Sequence, residues 1–201
     1  CFYALIVFNF DNPHQGKLNH LDFHLNISQP VRLIFIWGLM GAGKSTTGKK
    51  LAIKLGWQFV DSDQAIEEDQ GRTVAQIFKD DGEEEFRNLE KDWIEKLNLE
   101  NTIVAVGGGT PCFNDLNRRM LEQGLCLWFD APIGMLVSRI MSSKAQRPLI
   151  AGLSENQLRD KLAHLMNERQ EDYQKAHLIF QMNRLSIDDL ATYVKLAIEG
   201  K

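Results

Sequence analysis

The sequence predicts an α/β protein: a three-layer α/β/α sandwich built around a five-stranded parallel sheet. Three observations indicate this class. From residue 31 onward, short runs rich in β-branched and aromatic residues alternate with longer helical stretches. The short runs are mostly apolar instead of alternating with polar residues, which is typical of strands buried on both faces. Glycine or aspartate follows most of these runs, where the chain must turn toward the next helix.

The elements follow in a regular order. Strands are predicted at residues 31–37, 57–60, 102–106, 125–129 and 178–182. Helices are predicted at residues 44–55, 73–79 (with Thr73 as N-cap), 83–98, 114–123, 132–141, 155–167 and 187–199. In the third of these helices, apolar side chains recur every three or four residues and form one face. They are Phe86, Leu89, Trp93 and Leu97.

The composition is that of an ordinary globular protein. The chain has 201 residues, 44% of them hydrophobic and 25% charged, and a net charge of −4. This acidic balance offers no general attraction to nucleic acid or to anionic lipid, so neither is expected as a partner. The three cysteines form no C-x-x-C pair, which favours a reducing compartment. We therefore expect a cytoplasmic protein, and we expect it to be a monomer.

A glycine-rich loop joins the first strand to the first helix. Gly38-Leu-Met-Gly-Ala-Gly43-Lys44-Ser45 matches the pattern G-x-x-x-x-G-K-[ST], in the strand–loop–helix context that its mechanism requires. Glycines let backbone N–H groups turn inward around a phosphate, and the helix start adds a partial positive charge. The pattern predicts an ATP site in which Lys44 binds the β- and γ-phosphates and the Ser45 hydroxyl binds Mg²⁺. The predicted nucleotide-binding residues of the loop are Gly41, Ala42, Gly43, Lys44, Ser45 and Thr46.

Three further groups follow the ends of predicted strands. Asp61 and Asp63 follow the second strand, residues 107–109 are three glycines after the third, and Asp130 follows the fourth. Ligands of parallel sheets bind beyond the carboxyl ends of the strands. These groups are therefore expected to line one crevice together with the glycine-rich loop.

Five features in chain order resemble the shikimate kinase family. They are Asp61-Ser-Asp63, Phe78-x-x-x-Gly82-Glu83-x-x-Phe86-Arg87, Gly107-Gly-Gly109, Arg147-Pro-Leu149 and, more loosely, Glu168-Arg169 with Tyr173. The resemblance covers the chain from about residue 31 to residue 182. It implies a P-loop kinase fold at residues 31–201 with a lid at about 142–153, preceded by an N-terminal extension of unclear role at 1–30. It also implies ATP-dependent phosphorylation of the 3-hydroxyl of shikimate, in aromatic amino-acid biosynthesis.

The resemblance implies roles for individual residues. Shikimate is expected to contact Asp63, Arg87, Gly108, Gly109 and Arg169, and its carboxylate suits the planar fork of an arginine. Asp63 is expected to orient the attacking hydroxyl and to take its proton.

The remaining implied roles concern the triphosphate. Lys44 and the lid residue Arg147 join Asp63 in the expected catalytic set, and Arg147 also contacts the nucleotide. Asp61 is expected to join Ser45 at Mg²⁺ through water.

Two departures from the family pattern leave contacts open. Val106 precedes the glycines where many relatives carry a hydroxyl residue, so no magnesium role is assigned there. The last strand is followed by Gln181-Met-Asn183-Arg184, where many relatives have a Thr-Asp pair, so this loop's contacts with adenine stay open. Arg139, eight residues before Arg147, is the candidate for stacking on the adenine face.

Each of these assignments has a plainer alternative. Arg87 and Arg169 have acidic neighbours and would then form only ion pairs with them. Asp61 and Asp63 would only cap the following helix, residues 107–109 would be only a tight turn, and the lid an idle loop. The acidic neighbours are Glu83 and Glu84 for Arg87, and Glu168, Glu171 and Asp172 for Arg169.

Other functions use the same kind of loop. A gluconate or nucleoside-monophosphate kinase has no reason to keep Asp61-x-Asp63 together with Arg87 and the three glycines. A kinase-like regulatory module without catalysis is expected to lose Lys44, the acceptor arginines or the lid arginine, and all of them are present. A GTPase is disfavoured because the chain has no N-K-x-D motif for reading guanine.

Overall fold

A computed structural model describes residues 6–7, 31–143, 152–184 and 186–199. Its strands are β1 Ile6–Val7, β2 Leu33–Trp37, β3 Gln58–Asp61, β4 Thr102–Ala105, β5 Leu125–Asp130 and β6 Leu178–Gln181. They form one parallel sheet in the order β1-β6-β5-β2-β4-β3. The five predicted strands are confirmed as β2 to β6. Two residues from the segment before residue 31 add β1, a short strand beside β6 that was not predicted.

The helices of the described residues account for the rest of the layers. They are α1 Lys44–Leu55, α2 Ser62–Gln70, α3 Val74–Asp80, α4 Glu83–Glu95, α5 Leu116–Gln123, α6 Ile133–Ser142, α7 Glu155–Tyr173 and α8 Ile187–Glu199, with a 3₁₀ turn at Thr110–Cys112. The bounds of α1 and α8 are those predicted. Thr73 caps α3 as predicted, in a capping box with Gln76.

Two predicted helix starts or ends were wrong for local reasons. Helix α5 begins at Leu116 and not at residue 114, because Asn114 and Asp115 adopt positive φ angles of 45° and 54°. Helix α4 ends at Glu95, where the chain tightens into a turn in which the Leu97 N–H donates to the Ile94 carbonyl.

The predicted end of α7 at residue 167 was also wrong, and this difference affects the site. The helix continues to Tyr173, because its buried side chains keep helical spacing through the charged stretch. Those side chains are Leu158, Leu162, Leu165 and Tyr173. Arg169 lies four residues after Leu165 and four before Tyr173, so it continues the inward stripe of the helix.

Helix α2 was not among the predicted elements. It is polar and buries one apolar side chain, Ile66, so its sequence has almost no periodic apolar signal. Its start is fixed by Asp61, whose carboxylate accepts a hydrogen bond from the Asp63 N–H. The plainer alternative is therefore correct in that Asp61 caps a helix, and this places Asp63 in the first turn of α2.

Helices cover both faces of the sheet, as the α/β/α prediction requires. Helix α1 packs on α8 over one face, while α4 packs on α5 and α6 packs on α7 over the other. The central strands β2 and β5 are completely enclosed, with Ile34, Phe35, Leu127 and Phe129 all fully buried. Within the described part of the chain, no helix has the length and apolarity that crossing a membrane requires.

The strand registers bring the carboxyl ends of the sheet to one edge. Ala105 at the end of β4 pairs with both Ile36 of β2 and Asp61 of β3, and Trp37 pairs with Trp128 of β5. The chain leaves β2 toward β3 and leaves the adjacent β4 in the opposite direction, toward β5. This point of divergence forms a crevice in open α/β sheets, and the predicted ligand groups follow these strands.

Candidate active site

The glycine-rich loop has the geometry that its motif predicts. It leaves β2 at Trp37, and α1 begins at Lys44. Gly41 and Gly43 adopt positive φ angles of 82° and 93°, which a residue with a side chain rarely adopts. Lys44 Nζ donates to the Gly38 carbonyl at 2.9 Å, so the lysine folds back across its own loop. Thr46 follows on the first turn of α1 with its side chain exposed.

Ser45 and Asp61 come together from two different elements. The Ser45 hydroxyl, on the first turn of α1, donates to Asp61 Oδ2 at 2.6 Å. The other oxygen of Asp61 accepts from the Asp63 N–H at 3.2 Å. A hydroxyl and a carboxylate are oxygen ligands of the kind that Mg²⁺ prefers, and Mg²⁺ takes the rest of its ligands from phosphates and water. The residues present therefore fit a magnesium ion beside the phosphate loop.

Asp63 presents a buried carboxylate oxygen to the crevice. Its Oδ1 atom is shielded from solvent and has no hydrogen-bond partner among the described residues. The pKa of Asp63 is raised from 3.8 to about 6, first by burial and then by the negative charges of Glu90 and Asp61, while Lys44 and Arg87 oppose the shift. A buried acceptor without a partner is costly in a folded protein and therefore indicates a ligand group that completes it.

Arg87 is held in place by a network of buried charges. Its guanidinium donates to Glu83 at 2.9 Å and also to Glu90, one helical turn further along α4. Glu90 is 1% exposed and accepts a second hydrogen bond from the Thr110 hydroxyl. Burial raises the pKa of Glu90, and the charge of Arg87 partly offsets this.

The alternative reading of Arg87 is therefore correct in one respect: the residue does pair with Glu83. It is nevertheless not a surface ion pair, because Arg87 is only 8% exposed. Its guanidinium lies against the glycine turn, where a Cβ built on Gly109 would be 2.5 Å from Nη2. A side chain at this position would displace the arginine, so glycine at 109 permits the close approach.

Arg169 lies on the other side of the same turn. A Cβ built on Gly108 would be 3.4 Å from Arg169 Nη1 and 3.1 Å from the Gly38 carbonyl. The acidic neighbours of Arg169 on α7 have other partners: Glu168 pairs with His164 at 3.3 Å, and Asp172 with Lys175 at 2.7 Å. Within the described ranges, Arg169 forms no ion pair with them, contrary to the surface-pair alternative.

Arg139 lies on the outer side of the phosphate loop. Its Nη1 atom donates to the carbonyls of Gly41 and Ala42, each at 3.2 Å. The guanidinium also borders a cavity of about 240 Å³ between α1, α6 and α8. Its other lining residues are Thr47, Lys50, Phe180, Met182, Ser186, Ile187 and Leu190. A neighbouring cavity of about 250 Å³ is lined by Asp130, Pro132, Gln181, Asn183 and Arg184.

The crevice thus brings most of the predicted site residues together. The loop residues, Asp61, Asp63, Arg87, the three glycines and Arg169 all face it from separate elements. Arg147 and most of the predicted lid lie outside the described residues. The sequence interpretation missed Glu90 and Thr110, which hold Arg87. The available signal for Glu90 was its position three residues after Arg87, on the same helix face as Phe86 and Trp93.

Comparison with known proteins places this architecture in one family. A family profile described as shikimate kinase matches residues 40–199. A shikimate kinase from Phocaeicola vulgatus is 38% identical over 76% of this chain and 87% of its own. The chain belongs to the shikimate kinase family. Another member, from Persephonella marina, is 40% identical over 74% of this chain and 87% of its own.

Solved structures of shikimate kinases have the same fold. The Bacteroides thetaiotaomicron enzyme aligns with a TM-score of 0.78 and 33% identity, covering 84% of this chain and 98% of that one. The Acinetobacter baumannii enzyme, solved in complex with shikimate, aligns with a TM-score of 0.74 and 32% identity, covering 84% and 93%. The predicted P-loop kinase fold is therefore confirmed.

Proposed function

We propose that this chain transfers the γ-phosphoryl group of ATP to the 3-hydroxyl of shikimate, giving shikimate 3-phosphate and ADP for aromatic amino-acid biosynthesis. One observation carries the proposal. The buried Oδ1 atom of Asp63 has no hydrogen-bond partner among the described residues, and the carboxylate lies close enough to Lys44 and Arg87 to interact with both charges. Membership of the shikimate kinase family supports the same reaction. So does the shikimate complex of the relative from Acinetobacter baumannii.

The nucleotide is held by the loop and by α1. The backbone N–H groups of residues 41–46 surround the β-phosphate, and Lys44 turns from the Gly38 carbonyl to the β- and γ-phosphates. Ser45 and Asp61 are the residues that would hold Mg²⁺. When bound, this ion neutralises charge on the phosphate oxygens. Adenine occupies the cavity beside Arg139, whose guanidinium is already fixed against the loop.

The acceptor is held on the opposite side of the crevice. Arg87 and Arg169 flank residues 108 and 109, so two guanidinium groups converge on one glycine turn. They bind the shikimate carboxylate, for which the planar arginine fork gives paired hydrogen bonds. The turn supplies backbone contacts from Gly108 and Gly109 at the same place. This arrangement fixes the ring so that its 3-hydroxyl faces the γ-phosphate.

Asp63 acts on the reacting hydroxyl. Asp63 Oδ1, which has no partner among the described residues, accepts the hydrogen bond of the 3-hydroxyl. The 3-oxygen then bonds to the γ-phosphorus, while the bond between that phosphorus and the bridging oxygen of ADP breaks. The proton passes to the Asp63 carboxylate. Because phosphoryl transfer has a loose transition state, orientation contributes more than base strength, and proton transfer comes late.

The lid arginine and the cellular setting complete the proposed function. Arg147 belongs to the lid, which excludes water and limits wasteful hydrolysis of ATP, while the arginine offsets charge on the transferred group. The protein acts in the cytoplasm as a monomer, and the two free thiols Cys112 and Cys126 among the described residues support the reducing compartment.

The direct test is ADP release from MgATP, measured by a coupled assay with shikimate, gluconate, AMP or no acceptor. We expect turnover with shikimate alone, and phosphorus–proton correlation by NMR should place the phosphate on the 3-oxygen. Turnover with gluconate or AMP instead of shikimate would show that the acceptor has been assigned wrongly. ATP binding without turnover on any acceptor would identify a non-catalytic module.

A further inference from the structure

Tyr173 lies beneath the crevice and has no role in the mechanism above. It is the last residue of α7, and its side chain is completely buried. The ring packs against Trp128 with centroids 5.7 Å apart. The hydroxyl donates to the carbonyl of Gly108, in the turn that separates the two acceptor arginines. The hydrogen bond from the Tyr173 hydroxyl to the Gly108 carbonyl is thus a specific polar contact between a core side chain and the backbone of the site.

Arg169, one helical turn earlier on α7, reaches the same point of the turn: a Cβ built on Gly108 would be 3.4 Å from Arg169 Nη1 and 3.5 Å from the phenol oxygen. Since the phenol donates its own proton to Gly108 and a guanidinium only donates, the phenol oxygen offers its lone pairs as an acceptor for Arg169. Burial raises the pKa of Tyr173, which keeps the phenol protonated at working pH and therefore available as a donor. The hydroxyl thus links Arg169 to the glycine turn.

Tyr173 is attached to the phosphate loop by a different group. Its backbone carbonyl accepts from Trp37 Nε1 at 3.1 Å, and Trp37 is the last residue of β2 before the loop. The attachment to the nucleotide side therefore uses the main chain, while the attachment to the acceptor side uses the hydroxyl. A change to phenylalanine would remove only the second attachment.

We propose that Tyr173 is a positioning residue for the acceptor: its hydroxyl fixes the Arg169 guanidinium and the Gly108 carbonyl in one geometry and so sets the affinity for shikimate. This inference rests on the function proposed above, in which Arg169 and Gly108 contact shikimate. The hydroxyl and the phosphate loop meet at Gly108, where a Cβ would lie 3.5 Å from the phenol oxygen and 3.1 Å from the Gly38 carbonyl. Without the hydroxyl, Arg169 gains rotational freedom that shikimate must then restrict.

The test compares Tyr173→Phe with Tyr193→Phe in the full chain. Tyr193 lies on α8, where its ring is near Phe180 with centroids 6.4 Å apart, and it serves as the matched loss of a phenol hydroxyl. For Tyr173→Phe we expect the shikimate KM to rise about three- to tenfold, the loss typical of one hydrogen bond, while the ATP KM stays within about twofold. Tyr193→Phe should leave both KM values unchanged.

A double-variant cycle identifies the route of the effect. If the hydroxyl acts through Arg169, then adding Tyr173→Phe to Arg169→Ala should raise the shikimate KM much less than it does alone. Full additivity would overturn the inference. So would equal changes in both KM values, no difference from Tyr193→Phe, or loss of the folded state in Tyr173→Phe, which would make the hydroxyl a purely structural requirement.

The wild-type protein separates the two possible failures. If it shows no shikimate-dependent ADP release, the proposed function has failed. If it is active and only the Tyr173→Phe prediction fails, the error lies in the positioning role alone.

Discussion

The two sides of the crevice are built in different ways. The proposed nucleotide side is one continuous loop and the start of one helix, and the groups that it offers to phosphate are mainly backbone N–H groups. The acceptor side collects side chains from α2, α4 and α7 around the turn after β4. Arg87 in particular depends on Glu90, which is 1% exposed, and on Glu83. The first side is specified by a contiguous motif, to which Asp61 and Arg139 add contacts from other elements. The second side forms only when distant elements pack around one turn.

This difference predicts how each side responds to change. A substitution on the nucleotide side removes one contact among many that the loop provides. A substitution on the acceptor side also leaves a buried charge or acceptor without its partner, which is costly. Asp63 belongs to both sides, since its carboxylate interacts with Lys44 of the nucleotide side and Arg87 of the acceptor side. Its pKa is raised to about 6.

Asp63→Asn should therefore have the largest effect on turnover. The amide cannot take the proton of the 3-hydroxyl, so we expect kcat to fall by about 10²- to 10⁴-fold. Steady-state ADP release measures this. Asp92→Asn is the matched control, because Asp92 is 62% exposed and pairs with Lys96 on the surface of α4. Near-normal turnover in Asp63→Asn would remove Asp63 from the mechanism.

The same substitution should stabilise the protein at neutral pH. The pKa of Asp63 is raised from 3.8 to about 6 in the folded protein, so the folded state binds more protons and its stability falls as pH rises through this window. Above pH 6 the ionised group costs up to about 3 kcal/mol, which the neutral amide avoids.

Urea unfolding at pH 7 should accordingly give Asp63→Asn a higher free energy of unfolding than the wild type. The advantage should disappear at about pH 3, below the unfolded-state pKa of 3.8, where Asp63 is protonated in both the folded and the unfolded state. A variant that is less stable at pH 7 would show that the ionised carboxylate stabilises the fold.

Arg87→Ala should affect the binding of shikimate and not the binding of ATP. Loss of a charge-assisted pair with the shikimate carboxylate should raise the shikimate KM about ten- to hundredfold and leave the ATP KM nearly unchanged. Arg118→Ala is the control, because Arg118 forms an exposed pair with Glu122 on α5. Equal increases in both KM values would mean that the two sides are not separate.

The pH dependence of kcat/KM should report Asp63 in the free enzyme. Since the carboxylate must be ionised to accept the proton, kcat/KM should fall about tenfold for each unit below pH 6. Glu90→Gln should move this acid limb to lower pH, because the charge of Glu90 raises the pKa of Asp63. An acid limb that stays in place in this variant would assign it to another group.

The same contrast explains how much the sequence could predict. The phosphate loop and the bounds of α1 were predictable, because a motif and a helix start are local signals. The sheet followed from apolar runs. The acceptor arginines were found only through family resemblance, since nothing local marks Arg87 or Arg169 as buried.

What the sequence could not predict depends on tertiary contacts. Glu90 appears as one charge among many on an amphipathic helix, yet it is enclosed by Arg87 and Thr110. The charged end of α7 has the sequence pattern of a solvated surface, although it carries Arg169 inward and buries Tyr173. Helix α2 has too few apolar residues for a periodic signal, and it forms because Asp61 caps it after β3.

The separation of the two sides is tested most directly by calorimetric titration of two variants, Lys44→Met and Arg87→Ala, with shikimate and with a non-hydrolysable ATP analogue plus Mg²⁺. We predict that Lys44→Met loses the nucleotide and keeps shikimate, while Arg87→Ala loses shikimate and keeps the nucleotide. Loss of both ligands in either variant, with its circular dichroism spectrum unchanged, would contradict the account.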